Sequence, residues 1–406
     1  MESKKIGLLL GDEEDWPSTF EALAKKLPSA FSSKKKSCQL EVERVRIHPF
    51  DLKASTSYNL VIDRLAYWHF TPREWLKKAA LINNTYLLNN PFSFQSMEKH
   101  SAYCAMIRLG LHIPETWFLP PKTGPDTEKY RITSAKYHDL FNLSEIAEKI
   151  GYPLYMKPFD GGGWRGVSRI DNEEELIEVY NNSGQMLMHL QAGLDNYEVF
   201  VRSLAIGPQV ISLKYDPSQP MHGRYVVDHD FLSPEKGKEA RIITKVINAF
   251  FRWDFNSCEA IIKNGTLWPF DFANACPDIA LTSLHYYFPW AIKSLMAWSV
   301  FSAVTERPMR ITMDFEKYFE IADSERSYQE KLTEYEKLAD AHFEIDRFEE
   351  FREEQLKDLD SVMLELVRSQ EFDNILTETV RSTFPQHEHE HYINHYRGLL
   401  KHWAAE

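Results

Sequence analysis

The chain has 406 residues, of which 43% are apolar and 13% aromatic, enough for a buried core and two or three domains. Its formal net charge of −13 is uneven, because residues 1–310 carry 36 acidic and 36 basic side chains whereas residues 311–406 carry 24 and 11. An acidic chain without a basic stripe argues against a nucleic-acid-binding protein. The acidic excess predicts a distinct C-terminal segment.

Neither membrane insertion nor secretion is expected. The N-terminal residues 1–16 contain a five-residue apolar run followed by acidic residues, unlike a signal peptide. The longest later apolar stretch, residues 290–304, is interrupted by Lys293 and predicts a packed helix. Four cysteines, at positions 38, 104, 258 and 276, form no CxxC pair. Reduced thiols in a cytoplasmic protein are therefore the simplest expectation.

The first third of the chain predicts an α/β domain. A buried strand is predicted over residues 5–11, a helix over 19–27, and further strands over 40–47 and 58–65. Strands that alternate with helices in this way form parallel sheets with helices on their faces. From about residue 72 the pattern becomes helical.

The middle of the chain predicts a mixed set of elements. A loop rich in Pro, Thr, Gly and Lys is predicted over residues 120–136. The remaining predictions are helices over 139–150, 173–182 and 238–251, strands over 152–159, 185–193, 197–207 and 208–216, and a hairpin over 257–274 with Asn-Gly as its turn. Residues 328–367 then predict long, charged helices, which we expect to pack on their own domain, with a substrate lid or a dimer surface as the alternative.

A lysine followed by a glycine run is typical of a phosphate site. Lys157 ends an apolar strand, and Gly161, Gly162, Gly163 and Gly166 follow within nine residues. Glycines let backbone N–H groups approach a ligand closely, and lysine supplies a point charge suited to phosphate. The pattern predicts nucleotide phosphates held under a flap, with an ordinary surface lysine beside a hairpin turn as the alternative.

The predicted hairpin at 257–274 carries oxygen ligands. Glu259 lies on its first strand, while Asp271 and Asn274 end its second strand, and the Asn-Gly turn brings the two strands side by side. Two carboxylates in otherwise apolar strands repel each other unless a cation lies between them. Mg²⁺ prefers such hard oxygen ligands. The pattern predicts a metal site, and pairing of a carboxylate with Lys or Arg is the alternative.

A second motif competes with this interpretation. Residues 387–391, HEHEH, satisfy the H-E-x-x-H pattern of zinc proteases, in which His387 and His391 bind zinc and Glu388 is the base. Pro385 precedes the motif closely, however, and acidic residues are favoured at a helix N-terminus. We therefore favour a structural helix start.

Four segments together resemble the ATP-grasp superfamily, which includes D-alanine–D-alanine ligase, glutathione synthetase and ribosomal-protein glutamate ligases. Residues 89–119 resemble the family's linker, which has an Asn-Pro turn, a lysine and an Ile-Pro-x-Thr exit, and residues 152–167 resemble its lysine and glycine flap. Residues 187–201 resemble its adenine hinge, and residues 258–278 resemble its metal-binding hairpin. The segments follow the order of the family between about residues 5 and 290.

The resemblance implies an ATP site with Mg²⁺, which Mn²⁺ can replace. The residues implied to bind ATP are Lys99, Lys157, Gly161, Gly162, Gly163, Trp164, Gly166, His189, Leu190, Gln191 and Glu198. Lys99 and Lys157 would hold phosphates, residues 189–191 the adenine and Glu198 the ribose. The implied metal ligands are Glu259, Asp271 and Asn274, and Lys214 and Arg252 are implied to contact the γ-phosphate and the developing acyl phosphate.

The chain departs from the family at two places. The family usually has Glu-x-Asn where this chain has Asp271-x-x-Asn274, so that Phe272 occupies the expected carboxylate position. Either a β-bulge re-aims Asp271 or the metal geometry is altered. The hinge often reads Gln-Glu-aromatic, whereas this chain has His189, Leu190 and Gln191.

The fold implied is α/β: a Rossmann-like pre-ATP-grasp domain (1–115), an ATP-grasp domain of two α+β subdomains with a hinge near 188–193 (116–305), and an acidic helical extension (306–406). The implied activity is ligation of a carboxylate to an amine through an acyl phosphate. An ATP-grasp kinase or a non-catalytic ATP-binding module are alternatives. The expected partners are small-molecule or peptide substrates, without nucleic acid or membrane, and a homodimer is compatible with the sequence.

Overall fold

A computed structural model describes residues 2–33, 36–137, 141–160, 164–274 and 277–406 of the chain. The strands are β1 Glu2–Leu9, β2 Phe31–Ser33, β3 Lys36–Arg44, β4 Leu60–Asp63, β5 Tyr86–Leu88, β6 Thr116–Leu119, β7 Leu154–Pro158, β8 Ser168–Ile170, β9 Met188–Ala192, β10 Val199–Ile206, β11 Gln209–Tyr215, β12 Tyr225–Val226, β13 Phe255–Lys263 and β14 Thr266–Asp271.

The helices are α1 Asp15–Lys26, α2 Phe70–Asn83, α3 Lys99–Arg108, α4 Glu128–Tyr137, α5 Leu143–Ile150, α6 Glu173–Asn182, α7 Pro234–Phe251, α8 Leu281–Leu284, α9 Phe288–Val304, α10 Phe315–Ala322, α11 Tyr328–Phe343, α12 Ile345–Gln355, α13 Leu359–Val367, α14 Gln370–Thr383 and α15 His389–Trp403. None of the helices in the described part of the chain is long and apolar enough to cross a membrane.

The chain forms two compact units. Unit 1 comprises residues 1–94, 202–257 and 275–406, and unit 2 comprises residues 95–201 and 258–274. A second sheet has the strand order β12-β11-β10-β13-β14. The domain boundaries expected from the sequence stay a prediction.

Unit 1 begins with the predicted α/β domain. Its sheet has the order β2-β3-β1-β4-β5, in which β1, β3, β4 and β5 are parallel and β2 pairs antiparallel with β3. The C-terminal half of β1 and all of β4 are buried on both faces, as parallel strands covered by helices are. This arrangement is the Rossmann-like sheet expected from the alternation of strands and helices.

The C-terminal helices pack on unit 1. Helix α9 is buried almost throughout, as the apolar stretch around residues 290–304 predicts. Phe348 of α12 contacts Trp298 and Phe301 of α9, with ring centroids 5.4 and 5.3 Å apart. Lys245 of α7 binds Glu336 of α11, with 3.0 Å between Nζ and Oε1. The acidic helices are therefore part of the core of unit 1.

A buried polar network connects this extension to the first sheet. Asp254 accepts hydrogen bonds from the Tyr86 hydroxyl and from Nε1 of Trp298, the latter at 2.9 Å. Arg307 donates from Nε to the Tyr86 hydroxyl at 2.9 Å and also pairs with Glu344. Since buried polar groups are costly unless they are hydrogen-bonded, each of these side chains depends on the others.

Unit 2 contains a sheet with the order β6-β9-β7-β8, whose pairings are antiparallel. One of its faces carries a hydrophobic core shared with α5 and α6, to which β9 contributes Met188 and Leu190. Both helices begin at an Asn whose side chain accepts from backbone N–H groups, Asn142 and Asn172. The opposite face of the sheet carries the polar residues of the next section.

Two sequence predictions need correction. The loop predicted over 120–136 was wrong from residue 128, where α4 begins, because prolines 120, 121 and 125 made the whole segment resemble a loop. Thr127 accepts a hydrogen bond from the backbone N–H of Tyr130 at 3.2 Å and so starts that helix. The helix predicted from residue 139 begins at Leu143. The helix start predicted at the HEHEH motif falls at His389.

Candidate functional site

The polar face of the unit 2 sheet is produced by strict alternation along its strands. His189 of β9 lies opposite Phe118 of β6 on one side and Lys157 of β7 on the other. Directly opposed residues of antiparallel strands share a face, so these three side chains form one row. Leu190 belongs to the opposite, hydrophobic face, and any contact of Leu190 with a ligand on the polar face would use its backbone.

His189 is buried in an aromatic pocket. It is 1% exposed, stacks on His100 with 5.7 Å between ring centroids, and meets Tyr103 and Phe118 edge-on at 5.6 Å each. Neither ring nitrogen has a hydrogen-bond partner among the described residues. Burial, and then the nearby His100, Lys157 and Lys99, lower the pKa of His189 to about 3. The imidazole is therefore neutral at physiological pH.

Lys157 is a buried lysine whose amine faces uncharged partners. It is 6% exposed, and its Nζ lies 3.4 Å from the Tyr103 hydroxyl and 3.5 Å from the carbonyl oxygen of Phe270. No carboxylate within the described ranges lies at ion-pair distance from it. Burial lowers the pKa of Lys157 to about 8, and Lys99 acts in the same direction, whereas the charges of Asp271 and Glu259 raise it.

Lys99 is the first residue of α3, and its side chain is an ion-pair partner. Its Nζ lies 3.0 and 3.1 Å from the two carboxylate oxygens of Asp271. Its backbone N–H donates to the carbonyl oxygen of Phe159, two residues after Lys157, at 3.0 Å. The structure therefore brings the two predicted phosphate lysines together. It also gives Asp271 the lysine partner that the sequence left as an alternative to a metal.

The hairpin of β13 and β14 contains the β-bulge that the sequence left open. Ala260 pairs with Pro269, but Glu259 pairs with Asp271, so Phe270 is an extra residue in β14. In a regular register Phe270 would oppose Glu259, and Asp271 would face the other side of the sheet. The bulge therefore puts Glu259 and Asp271 opposite each other, on one face. Of the two alternatives for the shifted spacing, the structure has the bulge.

The donor set suits a hard divalent cation shared with phosphates. No cluster of three or more His, Cys, Asp and Glu side chains able to hold a metal occurs in the part of the chain that is described. Mg²⁺, however, is usually held by one or two carboxylates together with substrate phosphates. Glu259 and Asp271 supply two carboxylates on one face, and the partly buried Asn274 follows three residues after Asp271. These residues fit the ion that the resemblance implies.

Glu198 and the flap were also predicted to bind ATP. Glu198 makes two hydrogen bonds to the hairpin. Its carboxylate accepts from the backbone N–H of Gly265 at 3.1 Å, and its own backbone N–H donates to the carbonyl oxygen of Ile262 at 2.8 Å. Trp164 is half exposed, and Gly166 has a φ of +72°, where an added Cβ would lie 2.9 Å from Cγ of Pro158. Gly161, Gly162 and Gly163 lie outside the described residues.

Lys214 and Arg252 belong to unit 1. Lys214 pairs with Asp228, with 2.7 Å between Nζ and Oδ2. Arg252 follows Phe251, the last residue of α7, and donates to the carbonyl oxygens of Ala249 and Thr312, both at 3.2 Å. Their catalytic roles stay predictions.

Sequence reasoning missed Tyr103. Its hydroxyl donates to the carbonyl oxygen of Phe270 at 2.6 Å and lies beside Lys157, and burial followed by the charge of Asp271 raises its pKa. A signal was present, because Tyr103 follows Lys99 by four residues and so shares its helix face. His100, which stacks on His189, had no comparable signal, because it contacts β9 only once the tertiary structure has formed.

No family model matches the chain. Two curated proteins match short segments. D-alanine–D-alanine ligase from Finegoldia magna is 33% identical over 88 residues, which are 20% of this chain and 23% of that protein. The 2-oxoglutarate carboxylase small subunit from Hydrogenobacter thermophilus is 44% identical over 45 residues, which are 11% of this chain and 10% of that protein. The chain therefore matches less than a quarter of the length of either relative.

The fold has a solved counterpart. The crystal structure of D-alanine–D-alanine ligase from Bacillus anthracis complexed with ATP is similar to this chain with a TM-score of 0.50 and 12% sequence identity. The similarity covers 75% of this chain and 97% of that one. At this identity the likeness establishes the architecture, which is the one that the four sequence segments imply. The chain has the ATP-grasp fold.

Proposed function

We propose that this chain is an ATP-dependent ligase that joins a carboxylate to an amine through an acyl phosphate. The observation that carries the proposal is Lys157, a buried amine with no carboxylate at ion-pair distance among the described residues, close to the carboxylates Glu259 and Asp271 of the hairpin. A buried cation without a counter-ion suits an anionic ligand. The ATP-grasp fold and the four family-like segments support the same proposal.

The two lysines would hold the phosphates of ATP. Burial destabilises the charged amine of Lys157. Phosphate oxygens near it would stabilise that charged form and so raise its pKa from about 8. Lys99 contacts both carboxylate oxygens of Asp271 at about 3 Å. It would keep one of these contacts and replace the other with a contact to a phosphate oxygen. Trp164, Gly166 and the glycines at 161–163 would cover the phosphates and exclude water.

The base and ribose of ATP would lie along β9 and the hairpin. His189 and Gln191 share the polar face of the sheet, and Leu190 lies between them with its side chain on the opposite, hydrophobic face. Glu198 would accept the ribose hydroxyls. One of its oxygens already accepts from Gly265, so the other oxygen is the one offered to the sugar.

Glu259, Asp271 and Asn274 would hold Mg²⁺, or Mn²⁺ in its place. When bound, the ion would neutralise charge on the phosphoryl group as it transfers. A carboxylate oxygen of the acid attacks the γ-phosphorus and ADP leaves. The amine then attacks the acyl carbon and loses a proton, and phosphate leaves with one former carboxylate oxygen. We place Lys214 and Arg252 as candidates for contacts to the γ-phosphate and the acyl phosphate.

The substrates would be small molecules or peptides in the cytoplasm. Isotope transfer tests the proposal, with ATP, Mg²⁺, a panel of amino acids and dicarboxylic acids labelled with ¹⁸O in the carboxylate, and the same panel as amines. We expect ADP and free phosphate to form when both an acid and an amine are present, and one ¹⁸O to appear in the phosphate. ADP without free phosphate, with the phosphoryl group on an acceptor, would support a kinase instead. ATP binding without turnover under every pair would support a non-catalytic module.

Two matched variants connect the activity to the hairpin. Asp271 and Asp195 each pair with a basic residue, Lys99 and Arg169, and each carboxylate side chain is 34% exposed. Asp271→Asn should lower turnover at least about a hundredfold, the scale of losing one preorganised electrostatic group. Asp195→Asn removes an equally exposed charge in the same unit and should retain turnover. Equal activity of the two variants would mean that Asp271 is not a metal ligand.

A further inference from the structure

A recess in unit 1 is lined by two arginines. It has a volume of about 450 Å³ and is formed by Arg252 together with the loop of residues 309–314. A smaller cavity of about 10 Å³ shares Arg252, Met309 and Arg310 with it and is also lined by His342. The larger volume is in the range of pockets that hold small molecules.

The loop that forms the recess is held in place at several points. The backbone N–H of Met309 donates to the Asn84 side chain at 3.2 Å, and the Asn90 side chain donates to the carbonyl oxygen of Ile311 at 3.3 Å. Nε of Arg252 donates to the carbonyl oxygen of Thr312 at 3.2 Å. The recess is therefore preformed, which lowers the entropy cost of binding a ligand there.

The two guanidinium groups lack carboxylate partners. Within the described ranges, neither Arg252 nor Arg310 forms an ion pair, and Nη2 of Arg252 and the whole guanidinium of Arg310 have no hydrogen-bond partner. The acidic side chain of the recess, Asp314, is already paired with Lys317 at 2.7 Å. Two like charges face one space in a chain whose net charge is −13.

His342 lines the smaller cavity and has a buried donor. Nη1 of Arg252 lies 2.8 Å from Nδ1 of His342. Because a guanidinium only donates, Nδ1 accepts and the imidazole proton resides on Nε2. His342 is 6% exposed, and Nε2 has no partner in the described structure. An N–H buried in this way is costly unless an acceptor is supplied.

The backbone of Arg252 is strained. Arg252 has a φ of +59° at the C-terminal end of α7, a left-handed conformation. Glycine or asparagine usually occupies this position, because a side chain there costs roughly 1–2 kcal/mol. Backbone strain of this kind clusters at ligand sites, and here it lies at a residue that lines the recess.

We propose that this recess binds a small molecule through an oxyanion group, a carboxylate or a phosphate, held by Arg252 and Arg310. Guanidinium groups match the paired oxygens of both anions. The anion relieves the repulsion between the two arginines. It assigns Arg252 to this ligand in place of the phosphate contact proposed for that residue above, and it does not depend on the ligase activity.

Calorimetric titration of the full chain with inorganic phosphate and with malonate, at constant ionic strength, tests the proposal. We expect millimolar or tighter binding of at least one anion. Arg310→Gln should weaken it at least about tenfold, the loss of one charge-assisted contact. Arg310 is exposed, so this variant should fold. Tighter binding of phosphate would indicate that the natural ligand carries a phosphoryl group, and tighter binding of malonate that it carries a carboxylate. Both results support the proposal.

Two variants serve as controls. Arg326→Gln removes another exposed arginine of unit 1, one that does not line the recess, and should bind as the wild type does. Lys157→Ala removes the proposed phosphate lysine of unit 2, and it detects anion that binds at the proposed ATP site instead of the recess. Loss of binding in Lys157→Ala but not in Arg310→Gln would overturn the proposal. So would equal losses in Arg310→Gln and Arg326→Gln, or no binding of either anion by the wild type.

Discussion

Lys157 and His189 are neighbours across two strands, and both are buried without a charged partner at bonding distance. Burial disfavours the charged form of each side chain, so it lowers the pKa of the lysine to about 8 and that of the histidine to about 3. The lysine therefore stays mostly charged at neutral pH, whereas the histidine is neutral. Lys157 can therefore bind a phosphate group, and the neutral ring of His189 in its aromatic pocket can contact a nucleotide base.

The histidine makes a prediction about acid stability. In the unfolded chain a histidine has its ordinary pKa of about 6.5, so between pH 6.5 and 3 the unfolded state binds a proton that the folded His189 does not. Folding stability from this residue is therefore lost as the pH falls, by about 2 kcal/mol between pH 7 and pH 5. The charged neighbours Lys157 and Lys99 and the adjacent His100 act in the same direction.

His189→Leu should remove this pH dependence. At pH 7 we expect a free energy of unfolding within about 1 kcal/mol of the wild type, because an unpartnered polar ring is replaced by an apolar side chain of similar volume. At pH 5 the variant should be more stable than the wild type. Denaturant unfolding of both proteins at the two pH values measures the difference. A difference that does not grow on acidification would mean that His189 is protonated in the folded state.

At the scale of elements, the segment between β7 and β8 depends on Gly166. This glycine and Gly184 both lie in unit 2 and have positive φ, +72° and +59°. An alanine at position 184 would meet no atom within 4 Å, whereas one at position 166 would press on Pro158, which follows Lys157 directly. Alanine at position 184 therefore introduces backbone strain alone, whereas alanine at position 166 also displaces the strand that carries Lys157.

Both alanine variants should lower the free energy of unfolding by roughly 1–2 kcal/mol, the cost of a side chain in the left-handed region. Only Gly166→Ala should also weaken ATP binding, by about tenfold, because its methyl group displaces Pro158 and with it Lys157. Unfolding curves and ATP titrations of the two variants give the comparison. Equal ATP affinities would mean that the position of Pro158 does not control the lysine.

The sequence predicts the strands and turns of the site better than it predicts the strand register and the contacts between distant residues. The Asn-Gly turn fixes the hairpin at 264–265, and the lysine before the glycine run locates β7. The pairing of Glu259 with Asp271 depends on the bulge at Phe270, which neither residue specifies locally. The ion pair of Lys99 with Asp271 joins residues 172 positions apart, a contact set by tertiary packing. Periodicity carries no information about either.

At the scale of the whole chain, the acidic C-terminal helices form part of a core. Phe343 and Phe348 are fully buried, and both pack on Trp298 of α9. Net charge and amphipathic spacing predicted helices in this segment. They did not predict which residues the helices cover, because a helix with a 3.6-residue apolar repeat packs equally well on its own domain or on a partner.

Phe348→Ala should therefore destabilise the chain by about 3–5 kcal/mol, the usual cost of truncating a buried phenylalanine. Leu52→Ala is the control, because Leu52 is 68% exposed and belongs to the same unit. The folded fraction of Phe348→Ala should bind ATP within about twofold of the wild type. Denaturant unfolding and ATP titration measure both quantities. A large change in ATP affinity with unchanged stability would assign the helix to the nucleotide site.

Lys157 is proposed to hold the phosphates of ATP, and the dissociation constant of Mg-ATP tests this role most directly. It should be measured by calorimetry for the wild type, for Lys157→Ala and for Lys129→Ala, which removes an exposed lysine of the same unit. We predict that Lys157→Ala weakens binding by about tenfold to a hundredfold, as expected for a charge-assisted phosphate contact in a buried site, and that Lys129→Ala binds as the wild type does. Equal affinities of the two variants, or no binding of ATP by the wild type, would contradict this role of Lys157.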